Sequence, residues 1–283
     1  MTEIVLDHQQ VLDLLPDRKA DAHKGDFGKV LLLCGSAGYT GAAYLAAMGA
    51  LRSGAGLVYL GVPESIYAIE AAKLNEAIVF PLPDEKGMLC GKALPKIMEM
   101  LPKMDAVLIG CGLGQGQGTQ EVLSAVLEYA ECPVAVDADG INLLAKHKDL
   151  LRGRKAPSVL TPHDGEFARL MGNLPAANRT QAAVDAAKEL GCVMLLKGHE
   201  TRISDGLACY RNTTGNPGMA VGGSGDLLAG IIVSLMGQGL PALTAAAVAA
   251  WLHGAAGDRC AEELGQYGML PTDMLSQLPR LMK

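Results

Sequence analysis

Aromatic residues are scarce in this chain of 283 residues: one Trp, three Phe and seven Tyr, or 4%. So few rings exclude a stacking platform for single-stranded nucleic acid. There is no basic run, and the net charge is −6. A partner with a phosphate backbone is therefore not expected. No apolar stretch free of Gly, Pro or His is long enough to span a bilayer, so no membrane partner is expected. The N-terminus, Met1 to Asp7, lacks a basic region followed by an apolar one, which excludes a signal peptide there. The seven cysteines contain no C-x-x-C pair. They read as buried thiols in a reducing compartment, not as zinc ligands or a disulfide framework. A cytoplasmic location follows. No Pro/Ser-rich linker or charge block divides the chain, so residues 1–283 are expected to form one domain.

Apolar residues make up 49% of the sequence, enough for a large core. Near-continuous Val/Ile/Leu runs predict strands at Lys29–Cys34, Leu57–Gly61, Ala77–Phe80, Ala106–Gly110, Val134–Asp137, Ser158–Leu160 and Val193–Leu196. That pattern belongs to strands buried on both faces. Helical patterns intervene at Gly41–Ser53, Thr119–Ala130, Glu166–Met171 and Thr180–Leu190. The alternation predicts an α/β fold, a mostly parallel sheet with helices on both faces. A hairpin is predicted at Thr201–Ser204 and Ala208–Tyr210, then helices at Asp226–Met236 and Leu243–Cys260.

The densest signal is Gly218-Met-Ala-Val-Gly-Gly-Ser-Gly-Asp226. Gly222, Gly223, Ser224 and Gly225 precede an apolar helix whose first N–H groups lack intrahelical partners and favour anions. A carboxylate in such a cradle invites a task, such as taking a proton from a hydroxyl. The alternative is a plain N-cap by Ser224 or Asp226.

Ligands of open parallel sheets bind beyond the carboxyl ends of the strands. Gly or polar clusters follow five strands: Gly35–Gly41, Cys111–Gly114, Ala138–Gly140, Thr161–Glu166 and Lys197–Thr201. The first lacks both the Rossmann spacing and the Gly-Lys-Ser/Thr of a P-loop. It reads as a turn or as a substrate wall around Gly41 and Ala42. Thr161-Pro162 reads as an N-cap followed by Pro at the first helical position, with Glu166 in the first turn. His163 is left for ligand contact. Lys197 is either a solvated strand end or a nucleotide clamp. Asp137 is a helix cap or a metal-network carboxylate, with the cap preferred. Trp251 and His253 read as packing residues.

Gly222-Gly-Ser-Gly-Asp226 together with Thr161-Pro-His-Asp-Gly-Glu166 resembles the ribokinase-like superfamily. More narrowly, the chain resembles the ADP/ATP-dependent NAD(P)H-hydrate dehydratases. His23–Gly28, Gly41–Ala43, Arg52–Gly56, Val136–Gly140, Leu196–Gly198 and Asn216–Ala220 match that family's pattern in order. The resemblance implies a substrate of hydrated NADH or NADPH in its S-epimer. It implies ADP or ATP as phosphoryl donor, with Mg²⁺ at the phosphates. The ring hydroxyl is phosphorylated and the phosphate is eliminated. By the same resemblance Ala42, Gly112, His163 and Asp226 contact substrate, with Asp226 as base. Lys197, Gly198, His199, Glu200, Thr201 and Gly225 contact nucleotide, and Glu166 orients metal-bound water. Cys111 stands where the family often has Pro; Val221 and Ser224 stand where it often has Thr. The family tends to form homo-tetramers. Its epimerase domain, often fused, has no counterpart here, which implies a separate epimerase partner.

Two other functions are considered. One is a vitamin-precursor kinase of the hydroxyethylthiazole or hydroxymethylpyrimidine type. Related kinases carry Asn where His163 stands, which argues against it. The other is a nucleotide-binding regulator without catalysis, which would have no use for Asp226 beside phosphate.

Overall fold

The computed structural model describes residues 2–283. The strands are β1 (Lys29–Leu33), β2 (Leu57–Pro63), β3 (Ile78–Leu82), β4 (Asp84–Glu85), β5 (Met88–Leu89), β6 (Ala106–Ile109), β7 (Val134–Val136), β8 (Ser158–Leu160), β9 (Val193–Leu196), β10 (Arg202–Ser204) and β11 (Cys209–Arg211). Nine of them form one sheet in the order β11-β10-β9-β8-β7-β6-β1-β2-β3. From β9 to β3 every pairing is parallel; β10 runs antiparallel to both its neighbours. The fold is therefore a mostly parallel α/β sheet. The small hairpin of β4 and β5 lies outside it and was not anticipated.

The helices are α1 (His8–Leu14), α2 (Thr40–Arg52), α3 (Glu64–Lys73), α4 (Leu94–Met100), α5 (Gln117–Tyr129), α6 (Asp139–Leu144), α7 (Asp164–Met171), α8 (Arg179–Leu190), α9 (Ser224–Gly237), α10 (Ala242–Leu264) and α11 (Pro271–Leu281). Among the described residues, no helix is long and apolar enough to cross a membrane. Because successive strand residues face opposite sides, β1 contributes Val30 and Leu32 to one core and Leu31 and Leu33 to the other. The first core takes its helical partners chiefly from α2, α9, α10 and α11. The second takes them from α4 through α8.

One close approach fixes the position of α9. A Cβ on Gly230 would run into the Ala46 carbonyl of α2, and one on Gly49 would stand 2.6 Å from the Leu227 carbonyl oxygen. The backbones of α2 and α9 thus touch where side chains would normally separate them. The start of α9 is thereby delivered to the carboxyl edge of the sheet.

The chain leaves β1 toward β2 on one side, while β6 pairs on the other. This is a topological switch point, where a crevice opens between diverging loops. Across it, the Gly35 N–H donates to the Cys111 carbonyl at 2.8 Å, and Ser36 Oγ donates to the Gly112 carbonyl at 2.8 Å.

Candidate active site

Five parallel strands deliver their following residues to one edge, and the buried Asp137, Thr161 and Glu166 lie there. Asp137, just past β7, is 1% exposed. Its Oδ1 accepts from Thr161 Oγ1 at 2.6 Å and from Lys197 Nζ at 2.9 Å. The Cys111 thiol donates to its Oδ2 at 3.6 Å. Asp137 is therefore a network carboxylate and not the helix cap that its sequence position suggests. The cap position of α6 is Ala138, held at φ 47 without a side-chain cap bond. A non-glycine residue at positive φ is uncommon, and here it lies between Asp137 and Asp139. The latter fixes the loop after β6 by accepting from the Gly114 N–H at 2.9 Å.

Lys197 also faces Glu166, with Nζ 3.8 Å from Oε2. Burial works against its charge, but Asp137 and Glu166 outweigh that and hold the ammonium above the ordinary lysine range. It is not a solvated strand end. Its carbonyl oxygen accepts from Arg179 Nη2 at 2.7 Å, and Arg179 Nη1 reaches Asp164 at 2.8 Å. In the loop that follows, Thr201 Oγ1 donates to the Gly198 carbonyl at 3.1 Å. Glu200 is turned away toward Arg202 and Arg211 of β10 and β11, and His199 is exposed.

The start of α7 corrects the expected cap. Thr161 and Pro162 precede the helix, and the N-cap is His163. His163 Nδ1 accepts from the Gly165 and Glu166 N–H groups at 3.0 and 3.3 Å, and Glu166 Oε2 accepts from the His163 N–H at 2.9 Å. This is a reciprocal capping box. Because Nδ1 is an acceptor, the ring proton sits on Nε2. Nε2 lies 3.5 Å from Glu166 Oε1, on a side chain that is 55% exposed. Thr161 was free to turn its hydroxyl to Asp137 because His163 caps the helix.

The Gly-Ser-Gly-Asp turn also departs from a plain cap. The N-cap of α9 is Gly223, at φ 95, and no side chain caps the helix. Only glycine adopts this backbone readily. The Ser224 N–H bonds the Val221 carbonyl at 3.3 Å. The N–H groups of Gly222, Gly223, Gly225 and Asp226 meet no acceptor among the described residues. Four unpaired donors at a helix N-terminus form an anion site. A Cβ on Gly225 would stand 3.2 Å from Lys197 Nζ and 3.9 Å from Asp137 Oδ2, so the cradle abuts the Lys197 network.

Asp226 sits in the first turn of α9. Burial, and then the charge of Asp137, push its carboxyl up to about 6, while the Cys111 thiol and Lys197 pull the other way. The ligand atoms of Cys111, Asp137 and Asp226 lie within 4.8 Å of one another. A thiol suits a hard cation poorly, and Asp137 is already engaged by Lys197 and Thr161. Direct Mg²⁺ ligation by this trio does not fit. Glu166 fits better as a carboxylate acting through water, the usual way in which Mg²⁺ keeps part of its hydration shell. Cys34 beside it, together with burial, keeps the Cys111 thiol protonated well above its ordinary range.

On the opposite wall, a Cβ on Gly112 would stand 2.8 Å from Ala42 Cβ and 2.9 Å from Tyr39 Cβ. The structure thus brings Gly225 and Asp226, Lys197, Glu166 and His163 together at the carboxyl edge of the sheet, with Ala42 and Gly112 touching beside Cys111 and the Glu200 side chain turned away. Sequence reasoning missed the Thr161–Asp137–Lys197 chain. The only available signal was that all three follow consecutive parallel strands. Trp251 packs, as expected, stacking on His8 with ring centroids 5.2 Å apart.

The sequence model of one family, described as NAD(P)H-hydrate dehydratase, matches residues 30–280. The bifunctional NAD(P)H-hydrate repair enzyme Nnr of Moorella thermoacetica is 45% identical over 275 residues, covering 95% of this chain and 52% of that protein. The chain thus spans about half the length of the first curated relatives it matches. The ADP-dependent (S)-NAD(P)H-hydrate dehydratase of Nitrosopumilus maritimus is 36% identical over 277 residues, covering 96% of this chain and 94% of that one. Among solved structures, the ADP/ATP-dependent NAD(P)H-hydrate dehydratase of Bacillus subtilis, co-crystallised with ATP/Mg²⁺, superposes with a TM-score of 0.85 at 34% identity, covering 97% and 96% of the two chains. A family model that matches most of the chain, and a relative 36% identical of which the chain covers 94%, agree: the chain belongs to the NAD(P)H-hydrate dehydratases.

Proposed function

We propose that this protein dehydrates the S-epimer of hydrated NADH or NADPH, with ADP or ATP as phosphoryl donor, and so returns the intact cofactor. The observation that carries this reading is a half-buried carboxylate, Asp226, within a cradle of unpaired N–H groups and under the charge of Lys197. A binding-only phosphate site gains nothing from a carboxylate there. The names of the relatives favour dehydration over a vitamin-precursor kinase.

The chemistry divides into two steps. Asp226 takes the proton of the ring hydroxyl as its oxygen attacks the terminal phosphorus of the nucleotide, and the bond from phosphorus to the bridging oxygen breaks. The free N–H groups of Gly222, Gly223, Gly225 and Asp226 hold the charge that develops on the transferring phosphoryl. Phosphate, a far better leaving group than hydroxide, then departs with the carbon–oxygen electron pair. A proton is lost from the neighbouring ring carbon, and the double bond re-forms. Lys197 and the loop to Thr201 face the nucleotide, while Ala42, Gly112 and the Nε2–H of His163 face the substrate ring. Glu166 would hold Mg²⁺ through water. The metal, when bound, neutralises phosphate charge.

An epimerase that interconverts the two hydrate epimers is the functional partner this reading requires. One domain, a homo-tetramer and action in the cytoplasm complete it. The test is incubation of the (S)-hydrate of NADH with ADP or ATP and Mg²⁺, following the return of dihydronicotinamide absorbance. No return with either nucleotide refutes the reading.

A further inference from the structure

His253 is a buried imidazole that the proposed chemistry does not use. It is 8% exposed, in the middle of α10, and its Nε2 lies 3.3 Å from Ser224 Oγ in the first turn of α9. Burial drives its protonation down to about 4, a hydrogen bond to the Ser224 backbone opposes this and the charge of Lys197 adds to it, so the ring is neutral near pH 7. A buried neutral imidazole makes one donor and one acceptor.

The rest of α10 shows what this contact belongs to. The segment that leads into the cradle lies along the same helix. Thr214 Oγ1 donates to the Trp251 carbonyl at 3.0 Å, and Asn212 Nδ2 donates to the Ala250 carbonyl at 3.2 Å. Asp258 accepts from the Gly215 N–H at 2.8 Å and from Asn216 Nδ2 at 3.0 Å. Gly254 and Gly257 leave room for Thr214 and Met219. Thus α10 moulds residues 212–219, and His253 is where that mould reaches the cradle itself.

The proton on the His253–Ser224 bond decides what the cradle presents. If the seryl O–H pointed at the ring, its lone pairs would face the anion. If the ring donates, the seryl O–H remains for the anion.

We propose that His253 is a positioning residue: its Nε2–H donates to Ser224 Oγ and turns the seryl O–H toward the phosphoryl group held by the cradle. The proposal rests on the reading above for the identity of that phosphoryl group. Ser224→Ala removes a donor to developing charge, and kcat falls roughly 10²-fold with little change in the nucleotide KM. His253→Leu leaves the hydroxyl misdirected, and kcat falls on the order of tenfold. In the Ser224→Ala background, His253→Leu costs nothing further. His253→Gln, whose amide N–H reaches the same place, recovers most of the rate. A ring that merely filled space would give independent, multiplying losses, with no rescue by Gln.

A second measurement needs no turnover. In ¹⁵N-labelled protein, the His253 ring signals, identified by their loss in His253→Gln, report the tautomer. The proposal requires the proton on Nε2 between pH 5 and 8, and a changed Nε2 signal in Ser224→Ala. A proton on Nδ1, or Nε2 blind to Ser224, overturns it whatever the activity. A wild-type protein that restores no dihydronicotinamide sinks the functional reading instead, and the tautomer still decides this one.

Discussion

Asp226 carries two opposed demands. As the proposed base it must be ionised, yet burial and Asp137 hold its proton up to about pH 6. Activity, measured as kcat/KM, should therefore fall as pH drops through about 6. Lys197→Met removes a charge that favours the ionised form, so it should move this acid limb to higher pH as well as raise the nucleotide KM. The same conflict has a consequence for stability. A carboxyl whose folded pKa is raised binds its proton more tightly in the folded state, so its ionisation opposes folding. That penalty is absent below the unfolded value, grows between it and about pH 6, and is complete above. Asp226→Asn should lower turnover by about 10² to 10⁴. It should also stabilise the protein above pH 6, by up to about 3 kcal/mol, given a carboxyl raised from its ordinary value to about 6. Chemical denaturation of both proteins at pH 5 and pH 8 checks this: the gain should shrink at the lower pH. No gain at pH 8 would mean that Asp226 is not strained by its surroundings.

At the scale of elements, the cradle is only as well placed as α9, and α9 is placed by its contact with α2. Gly230→Val puts two branched methyls where the Ala46 carbonyl lies. Overpacking of this kind costs about 1–3 kcal/mol, and here backbone on both sides limits relaxation. We expect a lowered midpoint of urea unfolding and, because the α9 N-terminus shifts with the helix, a raised nucleotide KM. A stability loss with an unchanged KM would show that the loops, rather than α2, locate the cradle. The predicted strands agree with the observed ones to within a residue or two, because each is a short run of Val, Ile and Leu closed by a turn. Helices α1, α3, α4, α6 and α11 were not predicted. In α3 and α6 the apolar faces are short, and only packing completes them, α3 against β2 and β3 and α6 against α5 and α7. The cap of α7 was misplaced because Thr and Pro are the usual signals, whereas a histidine cap has no sequence signature.

At the scale of the whole molecule, two cores clasp one sheet and every proposed functional group lies on one of its edges. A nucleotide bound there stabilises the folded state by mass action, about 2.7 kcal/mol at 100 times its Kd. A thermal shift with ADP and Mg²⁺ should therefore appear in wild type and persist in Asp226→Asn, since that variant loses the base and keeps the cradle donors. Loss of the shift in the variant would assign Asp226 to nucleotide binding instead.

The alternation of apolar runs with helical periods determined the sheet and its two covered faces. The glycines and Asp226 marked the turn of unpaired N–H groups at the start of α9, since these properties depend on residues close in sequence. The pairing of Thr161 and Lys197 with Asp137, the Cys111 thiol between two carboxylates and the reach of His253 to Ser224 were decided only by the tertiary structure. The hydrogen-bonded partners lie 24 to 60 residues apart in the chain, and Cys111 and Asp226 farther still. Strand order, which no local pattern encodes, brings the Asp137 partners together, and the packing of α10 against α9 brings His253 to Ser224.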